Sequence, residues 1–287
     1  MHNGVLKEKE TNNITNTENM KISEVTLDPK ERDFYVKALQ TLLDEKIPFL
    51  VGGAYAYERY TGISRHTKDF DIFVKQEDVQ KILDLFASRG YQSELIYPHW
   101  LGKVYCDGFF MDIIYNSGNG IARVDDEWFE HAVDDEVLGL DLKLCPPEEM
   151  LWSKSLIMER ERYDGADVAH IFHCMADRLD WQRLLRRFGQ NWRVLFSYIV
   201  LFGFIYPGKR TEIPGWVFQE LCSRLQQESS QPASPEEAKL CQGTLLSREQ
   251  YLTDVNSWGL RDGRLEPVST MTKEDISHWT AAINQDH

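Results

Sequence analysis

The chain of 287 residues carries 32 Lys and Arg against 46 Asp and Glu, a formal charge of −14. At roughly 150 residues per domain, this length predicts about two domains, each able to bury a core. Apolar and charged shares of 42% and 27% are those of an ordinary globular chain. The acid excess excludes a nucleic-acid-coating role, which needs clustered Lys and Arg to release counterions, and stable double-stranded DNA binding is not expected.

Five scattered cysteines (Cys106, Cys145, Cys174, Cys222 and Cys241) include no Cys-x-x-Cys pair. That argues against a disulfide framework or structural zinc and for a reducing, cytoplasmic location. Met1 to Met20 is rich in Asn, Thr, Glu and Lys without an apolar centre, so no signal peptide is expected there. The longest apolar stretch, Val194 to Tyr206, has 13 residues, too few to span a bilayer, and reads as a buried helix.

In chain order, residues 1–26 are expected to be disordered by composition. Asp28-Pro29 forms a cap and first turn for a helix with Phe34, Ala38, Leu39, Leu42 and Leu43 on one face. A short apolar run, Ile47 to Val51, stops at Gly52-Gly53 and leads into a helical pattern from Ala54 to Tyr60. Asp69 to Val74 alternates acidic and apolar residues as a strand does. Gln76 to Arg89 reads as a helix closed by Gly90, and Tyr91 to Tyr97, Lys103 to Cys106 and Phe109 to Tyr115 as further strands. Residues 27–145 therefore form an α/β (α+β) domain with a mixed sheet. Beyond Pro146-Pro147 helix formers dominate, so 146–228 is a helical domain. Residues 229–287 are a Ser/Gln/Pro linker and a tail with no readable period.

The chemistry concentrates around Asp69-Phe70-Asp71, separated from Gly53 by fifteen residues, and around Asp112 in a later strand. Residues i and i+2 of a strand share a face, so Asp69 and Asp71 sit about 6.6 Å apart at the backbone while Phe70 and Ile72 anchor the other face. Carboxylates this close repel unless a cation lies between them. If the strand of Asp112 pairs beside the first, three hard oxygen donors converge, a set suited to Mg²⁺ shared with substrate phosphates. Two such ions, about 3.5–4 Å apart, can clamp the attacking and leaving oxygens of a phosphoryl displacement. Strand, Gly52-Gly53, then helix leaves backbone N–H groups exposed at a helix N-terminus, where phosphate binds without a side chain in the way.

These residues resemble the nucleotidyltransferase superfamily with the DNA polymerase β-like fold, in particular its small bacterial branch that includes abortive-infection toxin nucleotidyltransferases. The pattern there is an apolar strand, Gly-Gly or Gly-Ser, a helix, Arg-x-Thr-x-Asp-apolar-Asp, and a third Asp on a later strand. Gly52-Gly53, Arg65-His66-Thr67-Lys68-Asp69-Phe70-Asp71 and Asp112 stand in those positions, over about residues 45–175. The fifteen residues between Gly53 and Asp69 slightly exceed the usual spacing. The resemblance implies a nucleotidyltransferase moving NMP from an NTP to an acceptor hydroxyl with release of pyrophosphate. It implies that Asp69 and Asp71 hold two Mg²⁺, or Mn²⁺ in their place, and that Asp112 completes the site. Lys154 and the run Arg162 to Asp167 match a later family segment, which implies a nucleotide contact for Lys154.

Other readings stay open at this point. Arg65 and Lys68 either steady the triphosphate or offset Asp69 and Asp71, and Lys154 either meets phosphate or pairs with nearby acids. His170, His173 and Cys174 share a helix, as capping or core residues or as a transition-metal site. Arg183, Arg186, Arg187 and Arg193 form a solvated helix face or an RNA contact. Phe196, Tyr198, Phe202, Phe204 and Tyr206 are expected in the core. The alternatives to the transferase are a non-catalytic nucleotide- or partner-binding module of toxin–antitoxin type and a glycosyltransferase that uses Asp-x-Asp. The acceptor is a small molecule, a tRNA or a protein.

Overall fold

The computed structural model describes residues 27–65, 67 and 69–281. The expected disorder of 1–26 and the role assigned to Lys68 fall outside the described residues. The first helix, α1 (Pro29–Asp44), starts where Asp28 Oδ1 accepts the Lys30 N–H at 2.8 Å. Its apolar face, from Phe34 to Leu42, is buried, but Leu43, expected on the same face, is 37% exposed because the helical period turns it away from the sheet.

Next come β1 (Leu50–Val51), α2 (Gly53–Thr61), β2 (Asp69–Phe73) and α3 (Gln76–Ser88). Strands β3 (Gln92–Tyr97), β4 (Leu101–Cys106) and β5 (Phe109–Ile114) follow, then α4 (Asp126–Glu130), β6 (Val133–Val137) and β7 (Leu140–Leu144). The seven strands form one mixed sheet in the order β3-β4-β5-β2-β1-β7-β6. Pair β6–β7, an antiparallel hairpin, extends the sheet beyond β1, with Val51 opposite Leu144 in parallel. Strand β6, Val-Asp-Asp-Glu-Val, is acid-rich and hides its strand character, whereas β7, Leu-Asp-Leu-Lys-Leu, alternates apolar and polar residues as a strand does.

Two features of the sheet position the site. Alternation along β2 buries Phe70 and Ile72 completely and turns Asp69 and Asp71 to the other face. Strand β5 then lies parallel to β2 with Asp71 opposite Asp112. The hairpin β4–β5 turns on Asp107-Gly108, both at positive φ, as the tightest hairpin turn demands.

Helices α5 (Pro147–Ser155), α6 (Gly165–Met175), α7 (Trp181–Phe188), α8 (Trp192–Ile205) and α9 (Gly215–Ser229) pack on one another, with α6 against α2, in a hydrophobic core continuous from Phe34 to Leu221. The arginine concentration is structural. Arg183, only 3% exposed, pairs with Glu148 and with Glu149 at 2.6 Å, while Arg187 reaches Asp125 at 2.6 Å and Glu149 at 3.0 Å. Arg186 pairs with Glu127 and Arg193 with Glu228. Burial of Glu148 and Glu149 inside a helical layer requires such partners, and Arg183 and Arg187 supply them, while the pairs of Arg186 and Arg193 lie at the surface.

The aromatic run of α8 divides. Phe202 is 1% exposed, but Phe204 is 82% exposed, against its expected place in the core. The helical period decides this: positions 195, 198, 199 and 202 face inward, which turns 200 and 204 outward. Among the described residues no helix is long and apolar enough to cross a membrane.

Over its described residues the tail folds into short elements. Strand β8 (Leu240–Cys241) pairs in parallel with β9 (Arg261–Asp262), with α10 (Leu252–Asn256) between them and α11 (Lys273–Ala281) after. Arg264, 1% exposed, pairs with Asp262 at 2.6 Å and fixes this small unit. Its period was unreadable because it is built of very short elements joined by loops.

Candidate active site

Asp69 and Asp71 on β2 and Asp112 on β5 each place one carboxylate oxygen within 4.8 Å of the others. No other grouping of three metal-ligating side chains is found among the described residues. One oxygen per residue, three hard donors and an open side toward a cavity form a set that could hold a divalent ion.

Electrostatics follow from this crowding. The Asp71 carboxyl is raised to about 7, first by burial and then by the charges of Asp69 and Asp112, with Lys154 and Arg162 pulling the other way. Burial also lifts Asp112, against the pull of Lys103 and with help from Asp69, to about 6. Lys103 on β4 donates to Asp112 Oδ1 at 2.6 Å, and its ammonium lies 3.9 Å from the centre of the Phe110 ring. Thr67 Oγ1 donates to Asp69 Oδ1, which fixes that carboxylate from the preceding loop.

Gly52 caps α2, and its N–H donates to the Asp71 carbonyl at 3.0 Å, so the helix N-terminus sits directly beside the carboxylates. Gly53 has φ +53°, and a Cβ there would collide with Asp71 Oδ2. Glycine at this position is what lets the helix start against the acid cluster.

The remaining candidates form a chain of ion pairs. Lys154 Nζ on α5 lies 2.8 Å from Asp167 and 3.1 Å from Asp164. Arg65 pairs with Asp167 on its other oxygen at 2.6 Å and covers the Tyr57 ring at 4.6 Å. Arg162 reaches Asp164 at 3.3 Å. Burial alone would raise Asp164, yet Lys154 and Arg162 hold it below the usual carboxylate range. The imidazole of His170 exchanges a 2.8 Å hydrogen bond with the Tyr57 hydroxyl, and Cys174 faces the Thr61 carbonyl at 3.7 Å. These two side chains tie α6 to α2.

A cavity of about 560 Å³ opens from this centre. Of the residues singled out from sequence, Gly53, Asp71, Asp112 and Lys154 line it. Asp69 joins through its oxygen in the cluster, Gly52 stands behind at the helix cap, and Arg65 is turned to α6.

No protein-family model and no curated protein matches the chain. Solved structures do resemble it. The antibiotic-resistance factor ANT(2'')-Ia aligns at 14% identity over 60% of this chain and 98% of its own, with a TM-score of 0.42. The lincosamide antibiotic adenylyltransferase LnuA aligns at 16% identity over 52% of this chain and 99% of its own, with a TM-score of 0.37. An antigenic nucleotidyltransferase-like protein from Paracoccidioides brasiliensis aligns at 17% identity over 60% of this chain and 93% of its own, with a TM-score of 0.35. At such values the functional reading has to stand on the site itself.

Two contributions escaped the sequence reading. Lys103 was legible in principle, because a two-residue turn at Asp107-Gly108 pairs Cys106 with Phe109 and, three steps back, Lys103 with Asp112. The second, the far wall of the cavity from Leu245 to Glu249 and Trp279, carried no local signal.

Proposed function

We propose that the chain is a divalent-metal-dependent nucleotidyltransferase that moves NMP from an NTP to an acceptor hydroxyl. The observation that carries this reading is the convergence of Asp69, Asp71 and Asp112 to within 4.8 Å, directly against the N-terminus of α2. Asp69, Asp71 and Asp112 would hold Mg²⁺, which when bound supplies charge neutralisation for the triphosphate and the transferring group.

The chain's own groups do the rest. The N-terminal N–H groups of α2 beside Gly53 offer donors to phosphate oxygens at the edge of the acid cluster, next to the Asp71 carboxylate. Lys154 uses donors on Asp164 and Asp167 and keeps a third for a phosphate oxygen at the cavity edge. Those two carboxylates hold the ammonium in place, so its orientation costs little when nucleotide binds.

In the transfer, the acceptor oxygen forms a bond to the α-phosphorus and the bond from that phosphorus to the bridging oxygen breaks. Pyrophosphate leaves with the electron pair, and the hydroxyl proton passes to Asp112. Residues 27–145 carry nucleotide and metal in this scheme, and 146–228 brace the acceptor side, in a protein of the cytoplasm.

The test is incubation with each common α-labelled NTP, Mg²⁺ and cell extract. Label should enter an acceptor with release of pyrophosphate, whereas release of a nucleoside diphosphate from a supplied nucleotide sugar would mark a glycosyltransferase. Asp69→Asn and Asp71→Asn should each lower transfer by at least about 10²–10³-fold while circular dichroism stays that of the parent.

A further inference from the structure

The cavity runs from the carboxylates to the tail, and its far wall is a fixed structure. Asn119 Nδ2 donates to the Leu245 carbonyl at 2.7 Å, and Ser269 Oγ donates to the Asn119 carbonyl at 2.7 Å, both buried. The Met158 N–H donates to the Leu246 carbonyl at 2.9 Å, and Arg248 grips both oxygens of Glu159, at 2.8 and 3.2 Å. Trp279 packs so closely on Gly118 that a Cβ there would lie 2.7 Å from its ring. The Arg248 guanidinium lies 5.5 Å from the centre of the same ring.

Aromatic surface lines the cavity from two directions in sequence. Tyr97 and Trp100 stack with ring centres 5.6 Å apart and planes 10° from parallel, and Trp279 joins them from the tail. The indole N–H of Trp100 is buried with no hydrogen-bond partner among the described residues. A buried donor left unpaired is costly and asks for an acceptor atom.

Charge argues about size and class. The cations lining the cavity, Lys103, Lys154, Arg162 and Arg248, are each ion-paired, to Asp112, to Asp164 and Asp167, to Asp164 and to Glu159. The arginines of α7 and α8 are paired as well, so they form no free basic stripe of the kind a polynucleotide backbone follows. A volume near 560 Å³, which also takes in the carboxylates and Lys154, leaves the aromatic end room for a small molecule only.

We infer that the tail completes the acceptor subsite, and that the acceptor is a compact, ring-bearing small-molecule alcohol held between the Tyr97–Trp100 pair and the Leu245–Trp279 wall. This rests on the transferase reading above. Trp100 is a specificity residue in it: its ring face stacks on the acceptor ring and its N–H meets an oxygen or nitrogen of that ring or its substituents.

The experiment uses the full chain with Mg²⁺, the α-labelled NTP that supports transfer, and cell extract divided by ultrafiltration into small molecules and macromolecules. Label is expected in the small-molecule fraction. Trp100→Phe keeps the ring and removes the donor, and should raise the acceptor KM by about tenfold with NTP affinity by calorimetry unchanged. Trp279→Ala should act in the same direction. Label found only in macromolecules, or an acceptor KM untouched by both variants, overturns the inference while leaving the transferase reading intact. Failure of the parent protein to bind any NTP with Mg²⁺ is a different result, which removes the transferase reading and this inference together.

Discussion

Gly53 and Asp71 constrain each other. The glycine stands at φ +53° with the Asp71 carboxylate where a side chain would go, so backbone conformation and carboxylate position are one arrangement. Gly53→Ala is expected to cost about 1–3 kcal/mol in urea unfolding through strain at positive φ. It should also abolish any rise in Tm that Mg²⁺ gives the parent, because the added methyl displaces the Asp71 carboxylate. The carboxyl shifts fix a pH dependence. Asp71 and Asp112 are raised, so protonation favours the metal-free fold. That contribution is complete below the ordinary carboxylate pKa of about 4 and is lost as pH climbs through about 6 to about 7. Metal binding has the opposite demand, since only ionised carboxylates ligate. Thermal melts should therefore show a larger Mg²⁺-induced rise at about pH 8 than at about pH 5.5, and Asp71→Asn should remove most of the difference.

Whole elements were read from sequence where their period was long and clean. Helix α1 begins at its Asp28 cap, and β2 alternates as its acidic and apolar residues dictate. Helix α8 shows where such reading fails. Its composition is apolar nearly all round, which predicts burial on every side, yet packing covers only the face of Leu195, Tyr198, Ile199 and Phe202. Two alanine variants should separate the faces in urea unfolding. Phe202→Ala should cost about 3–5 kcal/mol through the cavity it leaves, and Phe204→Ala should stay within about 0.5 kcal/mol of the parent. The arginines of α7 and the start of α8 carry the converse lesson. Lys, Arg and Glu in a helix suggest a wet face, but Arg183 and Glu149 are buried because each supplies the other's counter-charge.

For the molecule as a whole, the tail matters most. It has little regular structure of its own, and its place depends on the hydrogen bonds to Asn119, on Glu159 and on the Asp262–Arg264 pair. Arg264→Ala leaves Asp262 buried without its partner, so residues 240–281 should become sensitive to limited proteolysis while the core protected by the sheet resists digestion. Digestion as slow as the parent's would mean that the tail holds its place without this pair.

What the sequence determined by itself was local: the face shared by Asp69 and Asp71, the glycine turn into α2, and the hairpin register that sets Lys103 against Asp112. Each follows from the period of a strand or the geometry of a turn, which a few neighbouring residues specify. Tertiary structure alone decided that β5 lies parallel to β2 with Asp112 opposite Asp71, and that a tail more than a hundred residues downstream closes the cavity. Those contacts join segments far apart in the chain, and their choice is made by the burial of a shared core and by the pairing of charges across it, neither of which leaves a local mark.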